Sequence, residues 1–205
     1  MIKAYPILGL LLLLSSYARA QDRSTQQKLE AIVRSTDREI ELLKVYISDI
    51  ADKTIPEPVR TRKINRVLKK FDPTATIEVT SLIDRRPRQL PAQRYFYRLR
   101  DNLTYANIAI EWIQDQPLTG ARFSDLGNGV YELIGRYIQV FKGLDERGET
   151  IYGDITIKKV TVKVSERIDQ LTKRQYQEIK FMKIEAEATL PLDQLDELLP
   201  QSDSN

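Results

Sequence analysis

Four carboxylates and four phenols lie on predicted strands and could carry proton-transfer chemistry. The carboxylates are Glu78, Glu111, Glu132 and Asp154, and the phenols are Tyr105, Tyr131, Tyr137 and Tyr152. A carboxyl group whose pKa is raised by burial, beside a phenol that donates to a developing oxyanion, suffices for proton transfer next to a carbonyl. Strand alternation would also place each of these carboxylates on a solvated outer face, so the sequence alone assigns no catalytic residue.

The chain contains neither His nor Cys, and this excludes several classes of site. Zinc and copper sites built on these side chains, Ser-His-Asp triads, Cys-His dyads and disulfides all require them. The acidic segment 145–149 lacks the ligand spacing of a calcium loop and is predicted to be a hairpin turn. The sequence therefore predicts no metal site and no cofactor.

Four aromatic residues on adjacent predicted strands could line an apolar pocket with a few polar groups. They are Trp112, Tyr131, Tyr137 and Phe141, of which the last three share one strand parity. We predict them as the binding residues for a small apolar ligand. Ordinary packing of aromatic side chains on a sheet is the alternative.

A cluster of arginines surrounds the aromatic residues 95–97. Its members are Arg85, Arg86, Arg88, Arg94, Arg98 and Arg100. Arginine and aromatic side chains together can bind phosphates and stack bases. The helical spacing of Phe96 and Leu99 assigns these two to the core and leaves the arginines as a solvated face. No nucleic-acid partner is therefore predicted.

The first twenty residues have the pattern of a secretion signal. Lys3 precedes an apolar stretch with five consecutive leucines, and Ala18 and Ala20 provide small side chains for cleavage before Gln21. The stretch is much shorter than the ~20 apolar residues that span a membrane. We expect an exported, periplasmic or extracellular protein with no transmembrane segment after cleavage. Without Lys3 and Arg19, 30 basic residues face 29 acidic ones, so the mature net charge is only +1 and provides little long-range steering.

The elements that must position these residues follow from hydrophobic spacing. Apolar residues three and four apart predict helices within residues 24–53, 64–71 and 92–103, the last with Leu103 on its apolar face. Thr36 and Glu39 resemble a capping box, which predicts a break between a lead-in at 21–36 and a helix over 37–52. Alternating or β-branched runs predict strands at 75–82, 105–114, 130–142, 150–164 and 178–189. The short polar segment 145–149 joins the strands 130–142 and 150–164, which are therefore predicted to form a hairpin.

This order predicts an α+β fold, with helices packed on a strongly bent, mainly antiparallel sheet. Residues 50–53 (IADK), 70–81 (KFDPTATIEVTS), 95–99 (YFYRL) and 154–156 (DIT) carry a resemblance. They are similar to exported bacterial domains of the nuclear transport factor two-like, cystatin-like superfamily, over residues 40–188. The resemblance implies a cone-shaped sheet whose open end can hold a small ligand. That fold serves isomerases, dehydratases and non-catalytic modules, so it does not choose among functions.

Function is therefore open between two classes. The first prediction is an exported, non-catalytic domain, residues 37–190, that holds a protein partner or a small ligand in or on the sheet. The alternative is a carboxylate-dependent isomerase or dehydratase acting on a small carbonyl compound. The resemblance also implies a homodimer. Segment 191–205 is predicted to contain a short acidic amphipathic helix whose leucines dock on this domain or on a partner.

Overall fold

The computed structural model describes the backbone of residues 6–113 and 122–195, and the side chains of those ranges from residue 26 onward. The described residues form three α-helices, seven strands and a short 3₁₀ helix. The helices are α1 (Pro6–Ala51), α2 (Glu57–Leu68) and α3 (Ala92–Arg100), and the 3₁₀ helix is Leu192–Gln194. The strands are β1 (Phe71–Val79), β2 (Arg88–Pro91), β3 (Asn107–Ile113), β4 (Arg122–Gly127), β5 (Val130–Leu144), β6 (Thr150–Ile168) and β7 (Gln175–Leu190).

Chain contacts divide the protein into two compact units, Met1–Ser35 and Thr36–Asn205. The described part of the first unit is helical. In the part of the chain that the structure describes, no helix combines the length and apolarity needed to cross a membrane. Helix α1 runs without interruption through Thr36, so the predicted break there is wrong. The Thr36 side chain is buried, and its hydroxyl makes no hydrogen bond among the described residues, so it caps nothing.

The second unit is built on one curved sheet in the order β2-β1-β7-β6-β5-β3, with β4 also paired to β5. Only the β1–β7 pairing is parallel among the described strands. Bulges interrupt the β6–β7 register at Ile157/Lys158 and at Thr161/Val162. Such bulges bend a strand and increase its local twist. The predicted α+β class and the bent, mainly antiparallel sheet are therefore confirmed.

The β5–β6 hairpin is the centre of the sheet and confirms the predicted pair of long strands. Its ladder joins Val130 to Ser165 at one end and Leu144 to Thr150 at the other. Strands β2 and β4 are additional to the predicted elements. β2 begins at Arg88 of the predicted arginine cluster, and its Leu90 is buried opposite Ile77 of β1.

The helices pack on the sheet through the apolar faces that the sequence predicts. In α1, Ile40, Leu43, Ile47 and Ile50 are buried. The Ser48 hydroxyl donates to the Ile110 carbonyl at 2.9 Å, which ties this helix to β3. The α3 residue Phe96 lies edge-on to Phe71 of β1 at 5.5 Å between ring centroids. Helix α3 ends at Arg100, however, so Leu103 lies beyond it and is 95% exposed rather than in the core.

The opposite face of the hairpin carries a second apolar cluster. Ile138, Val140 and Ile155 are buried there, and Leu190, Leu192 and Leu195 pack against them. Leu192 lies directly over Gly153, where any added Cβ would overlap its side chain. The first leucines of the predicted terminal helix therefore dock on this domain, and residues 196–205 lie outside the described residues.

Candidate active site

A cavity of about 370 Å³ opens between the hairpin, α3 and the segments that follow β1 and α3. Its volume is in the range of small-molecule sites. Part of its wall is apolar, formed by Val79, Leu90, Leu99, Ile110 and Phe141. The polar groups that reach it from the deeper wall are Tyr95, Gln139, Tyr152, Asp154 and Lys158. The cavity thus combines an apolar lining with a small number of convergent polar side chains.

Strand β6 positions most of the polar groups. Because successive side chains of a strand point to opposite faces, Tyr152, Asp154, Thr156 and Lys158 project from one side. Their cross-strand neighbours in β5 are Gly143, Phe141, Gln139 and Tyr137 respectively. Ile155, between them in sequence, belongs to the apolar cluster on the other face. The same alternation that fills one face with leucine and isoleucine therefore places a carboxylate and an amine on the cavity side.

Asp154 is the carboxylate of the cavity floor, with only 4% of its surface exposed. The Tyr152 hydroxyl donates to its Oδ2 at 2.5 Å, and the Thr156 hydroxyl contacts Oδ1 at 3.4 Å. Burial raises the pKa of Asp154, and the Tyr152 hydrogen bond and the charge of Lys158 partly oppose the rise. A carboxylate with a raised pKa is a stronger base, and of its two oxygens Oδ1 has the longer hydrogen bond.

Tyr152 is itself fixed on two sides. The backbone N–H of Leu82 donates to its hydroxyl oxygen at 3.1 Å, and its ring stacks on Tyr105 at 5.9 Å. Tyr105 in turn packs against Gly143, where an added Cβ would overlap the ring. Burial raises the pKa of Tyr152 to about 12, so the phenol stays protonated and donates to Asp154. The carboxylate is therefore held in one orientation by a supported donor.

Tyr95 is a third phenol in the cavity, beside Tyr105 and Tyr152. It comes from α3, and a side-chain hydrogen bond joins it to the buried Gln139 of β5. Burial raises the pKa of Tyr95 to about 12, so it remains a hydrogen-bond donor at neutral pH. A neutral phenol in the cavity wall is suited to donate to an oxygen that gains negative charge.

Lys158 is the amine of the cavity and is 6% exposed. Its Nζ donates to the backbone carbonyl of Glu78 at 3.1 Å. Burial lowers the pKa of Lys158 from 10.5 to about 8, against the opposing charges of Asp154 and Glu78. The neutral form of this amine is therefore populated at lower pH than that of an ordinary lysine.

The rim of the cavity carries arginines from the predicted basic cluster. Arg86, Arg88 and Arg98 line it with exposed side chains, and Arg88 forms an ion pair with Asp84. Arg100 instead binds Asp101 through Nε at 2.6 Å and stacks over the Tyr97 ring. Among the described side chains, no three carboxylates come together as metal ligands.

The structure separates the four candidate carboxylates. Glu111 is exposed and pairs with Lys142 at 2.7 Å. Glu78 and Glu132 are half-buried and do not line the cavity. Asp154 alone of the four lines it, within hydrogen-bond distance of a tyrosine. The alternation of polar and apolar residues could not predict this contact, because it does not show which face of a strand is covered by the rest of the protein.

The four predicted ligand-binding aromatics do not share one cavity. Phe141 lines the 370 Å³ cavity, whereas Trp112 and Tyr137 line a neighbouring space of about 20 Å³ beneath α1. There Lys44 lies 4.7 Å above the Tyr137 ring, and the Trp112 indole donates to Ser48 at 3.3 Å. Tyr131 stacks on Phe123 of β4 at 5.3 Å. Of the four, only Phe141 lies beside Asp154.

Lys158, Gln139 and Thr156 were not among the predicted site residues. Their signal was present in the predicted strand 150–164, where positions 152, 154, 156 and 158 alternate as Tyr, Asp, Thr and Lys among apolar neighbours. Four polar side chains on one parity indicate either a solvated face or a lined cavity. The choice depends on helices that cover the face, which strand periodicity does not report.

No protein-family model matches the chain, and no curated protein matches it. Several solved structures have a similar backbone fold. One is a hexachlorocyclohexane dehydrochlorinase of type 2, which is 14% identical in sequence. The match covers 79% of this chain and 93% of that chain, with a TM-score of 0.40. A second is a scytalone dehydratase-like protein from Novosphingobium aromaticivorans, which is 7% identical. That match covers 78% of this chain and 91% of the other chain, with a TM-score of 0.41. A type 3 dehydrochlorinase from Novosphingobium barchaimii has 13% identity, 79% and 94% coverage, and a TM-score of 0.39. At such low identities and TM-scores the matches carry no argument about the reaction, which must be inferred from the cavity's own side chains.

Proposed function

We propose that this chain is an enzyme that transfers a proton next to the carbonyl group of a small substrate, as an isomerase or a dehydratase does. The observation that supports this most is the Asp154 carboxylate, buried on the floor of a small-molecule-sized cavity and held by Tyr152. A buried carboxylate with a specific hydrogen-bond partner in a cleft is a functional-site candidate.

Asp154 is the proposed base. Oδ2 accepts the 2.5 Å hydrogen bond from Tyr152 and Oδ1 only the 3.4 Å one from Thr156, so Oδ1 is the oxygen proposed to take the proton from the carbon beside the carbonyl. As the proton leaves, negative charge develops on the substrate oxygen, and the Tyr95 phenol is the proposed donor to it. Returning the proton to another carbon completes an isomerisation, whereas loss of a hydroxide from the next carbon, with a proton, completes a dehydration.

The cavity wall restricts the substrate. Apolar side chains form one part of the lining, and the exposed Arg86, Arg88 and Arg98 form the rim. A small carbonyl compound with an apolar body fits this arrangement. The rim arginines favour one that also carries negative charge.

Proton exchange tests the proposal across several classes of carbonyl compound at once. The protein is incubated in D₂O with a panel of small aldehydes, ketones and 2-oxo acids, and deuterium uptake at the carbon beside the carbonyl is followed by NMR. We expect uptake above the buffer rate for at least one class. Uptake at the buffer rate for every class would overturn the proposal.

A non-catalytic pocket for a small ligand is the second candidate, supported by the apolar part of the cavity lining. The sequence alone ranks such a domain ahead of an enzyme. The buried Asp154 supports the enzyme over this pocket, because a pocket for an apolar ligand has no need of a buried carboxylate, whose desolvation costs free energy. Binding of panel compounds, seen as shifted protein resonances without deuterium uptake, would favour the non-catalytic pocket.

Export and dimerisation are proposed on sequence grounds. The apolar stretch before Ala18 and Ala20 supports cleavage ahead of Gln21. Amino-terminal sequencing of the protein recovered from its native compartment should begin at Gln21, and a protein retaining Met1 would contradict export. Sedimentation at high protein concentration should give a species of twice the mature mass. A species of only the monomer mass would contradict the proposed homodimer.

A further inference from the structure

Lys158 is a second reactive group in the cavity, and the proton transfer proposed above does not use it. Its Nζ is buried beside the cavity and makes one hydrogen bond among the described residues, to the backbone carbonyl of Glu78. No carboxylate of the described residues lies within ion-pair distance of this Nζ. A lysine kept only for structure would be expected to pair its charge or extend it to solvent.

The surroundings of Lys158 favour its neutral form. Burial brings the pKa to about 8, so about half of the amines carry no proton at pH 8. A neutral, desolvated lysine is the activated form of this nucleophile. Asp154 projects from the same side of the same strand, four residues earlier, and Tyr95 lines the same cavity. An amine and two proton-carrying groups therefore surround one space.

We propose that Nζ of Lys158 forms an imine with the carbonyl carbon of the substrate in this cavity. The inference rests on the proposed function for its substrate class, a small aldehyde or ketone. The neutral amine attacks the carbonyl carbon, and the carbonyl oxygen is protonated as one amine proton is lost. The C–O bond of this carbinolamine then breaks, the oxygen leaves as water with the second amine proton, and a C=N bond to Nζ remains. Atoms and electrons balance with no oxidant or reductant.

The imine would assist the proton transfer at Asp154. A protonated imine draws electrons from the adjacent carbon more strongly than a neutral carbonyl does, so the C–H bond there becomes more acidic. The base and the amine lie on one side of β6, with Thr156 between them in sequence. Lys158 therefore supplies the electron sink and Asp154 accepts the proton.

Reductive trapping tests the imine directly. The full chain is treated at pH 8 with butanal or cyclohexanone and sodium cyanoborohydride, which reduces an imine to a stable secondary amine. Peptide mass mapping then locates the lysine whose mass has increased by the mass of the probe minus that of one oxygen atom. Lys163 is the internal control because it lies on the same strand with an exposed side chain. An ordinary lysine pKa is ~10.4, about two units above that of Lys158, so we expect at least about tenfold more adduct at Lys158.

Equal or smaller labelling of Lys158 than of Lys163 would overturn the inference, and this comparison needs no variant. Lys158→Arg should remove the dominant adduct, whereas Lys163→Arg should leave it. Deuterium uptake without a Lys158 adduct would contradict the imine proposal and leave the proposed function supported. A Lys158 adduct without deuterium uptake by any compound would support the imine proposal and contradict the proposed proton transfer.

Discussion

The Tyr152 hydroxyl donates a 2.5 Å hydrogen bond to Oδ2 of Asp154, two residues further along the same strand. Residues two apart on a strand share a face, so β6 places phenol and carboxylate side by side without help from a loop. The Leu82 N–H and the Tyr105 ring hold the phenol in this position. A rigid strand therefore carries both the proposed base and the group that orients it.

Tyr152→Phe should shift the pH dependence of proton exchange. The Tyr152 hydrogen bond lowers the pKa of Asp154, so its loss raises that pKa further. Asp154 acts as a base only when ionised, so the acidic limb of the pH–rate profile should move to higher pH. Tyr176→Phe is the matched control because Tyr176 is exposed. An acidic limb at the wild-type position would show that Tyr152 does not act on Asp154.

Lys158→Met should stabilise the protein at neutral pH. The pKa of Lys158 falls from 10.5 in the unfolded chain to about 8 in the folded chain, so below pH 8 the folded state bears the full cost of a buried charge, on the order of 3 kcal/mol. Between pH 8 and 10.5 the folded chain loses this proton first, and wild-type stability rises toward that of the variant. Loss of the bond to the Glu78 carbonyl reduces the gain.

Urea unfolding from pH 6 to pH 10.5 measures this difference. The variant should exceed the wild type most below pH 8, and the two should converge as the pH approaches 10.5. The exposed Lys163→Met should follow the wild type throughout. A stability difference for Lys158→Met that does not change with pH would contradict a lowered pKa at this position.

Helices, long strands and the central hairpin could be predicted because their periodicity depends on local burial. The buried residues Ile40, Leu43, Ile47 and Ile50 of α1 follow that spacing closely. The site could be predicted only in part. Asp154 and Tyr152 were among the candidate groups, but Glu111 on β3 was an equal candidate, and only the packing of helices over one face distinguishes them. The pairing of Tyr95 with Gln139 joins residues 44 positions apart, which no local pattern reports.

Leu192→Ala should destabilise the domain by about 1–2 kcal/mol, because Leu192 is half-buried over Gly153 and the cluster around Ile155. Asp193→Ala, at the exposed neighbouring position, should leave the unfolding midpoint unchanged. Equal stability of the two variants would mean that the leucine does not dock on this domain in solution, and would favour presentation of the segment to a partner.

Asp154→Asn tests the central claim most directly. The amide keeps the size of the carboxyl group and cannot accept the proton, and removing a buried charge whose pKa is raised should not destabilise the fold at neutral pH. Deuterium uptake beside the carbonyl is measured for wild type, Asp154→Asn and Glu111→Gln, which changes an exposed carboxylate. The account predicts a loss of at least about 100-fold for Asp154→Asn and none for Glu111→Gln. Uptake by a folded Asp154→Asn protein at the wild-type rate would contradict it.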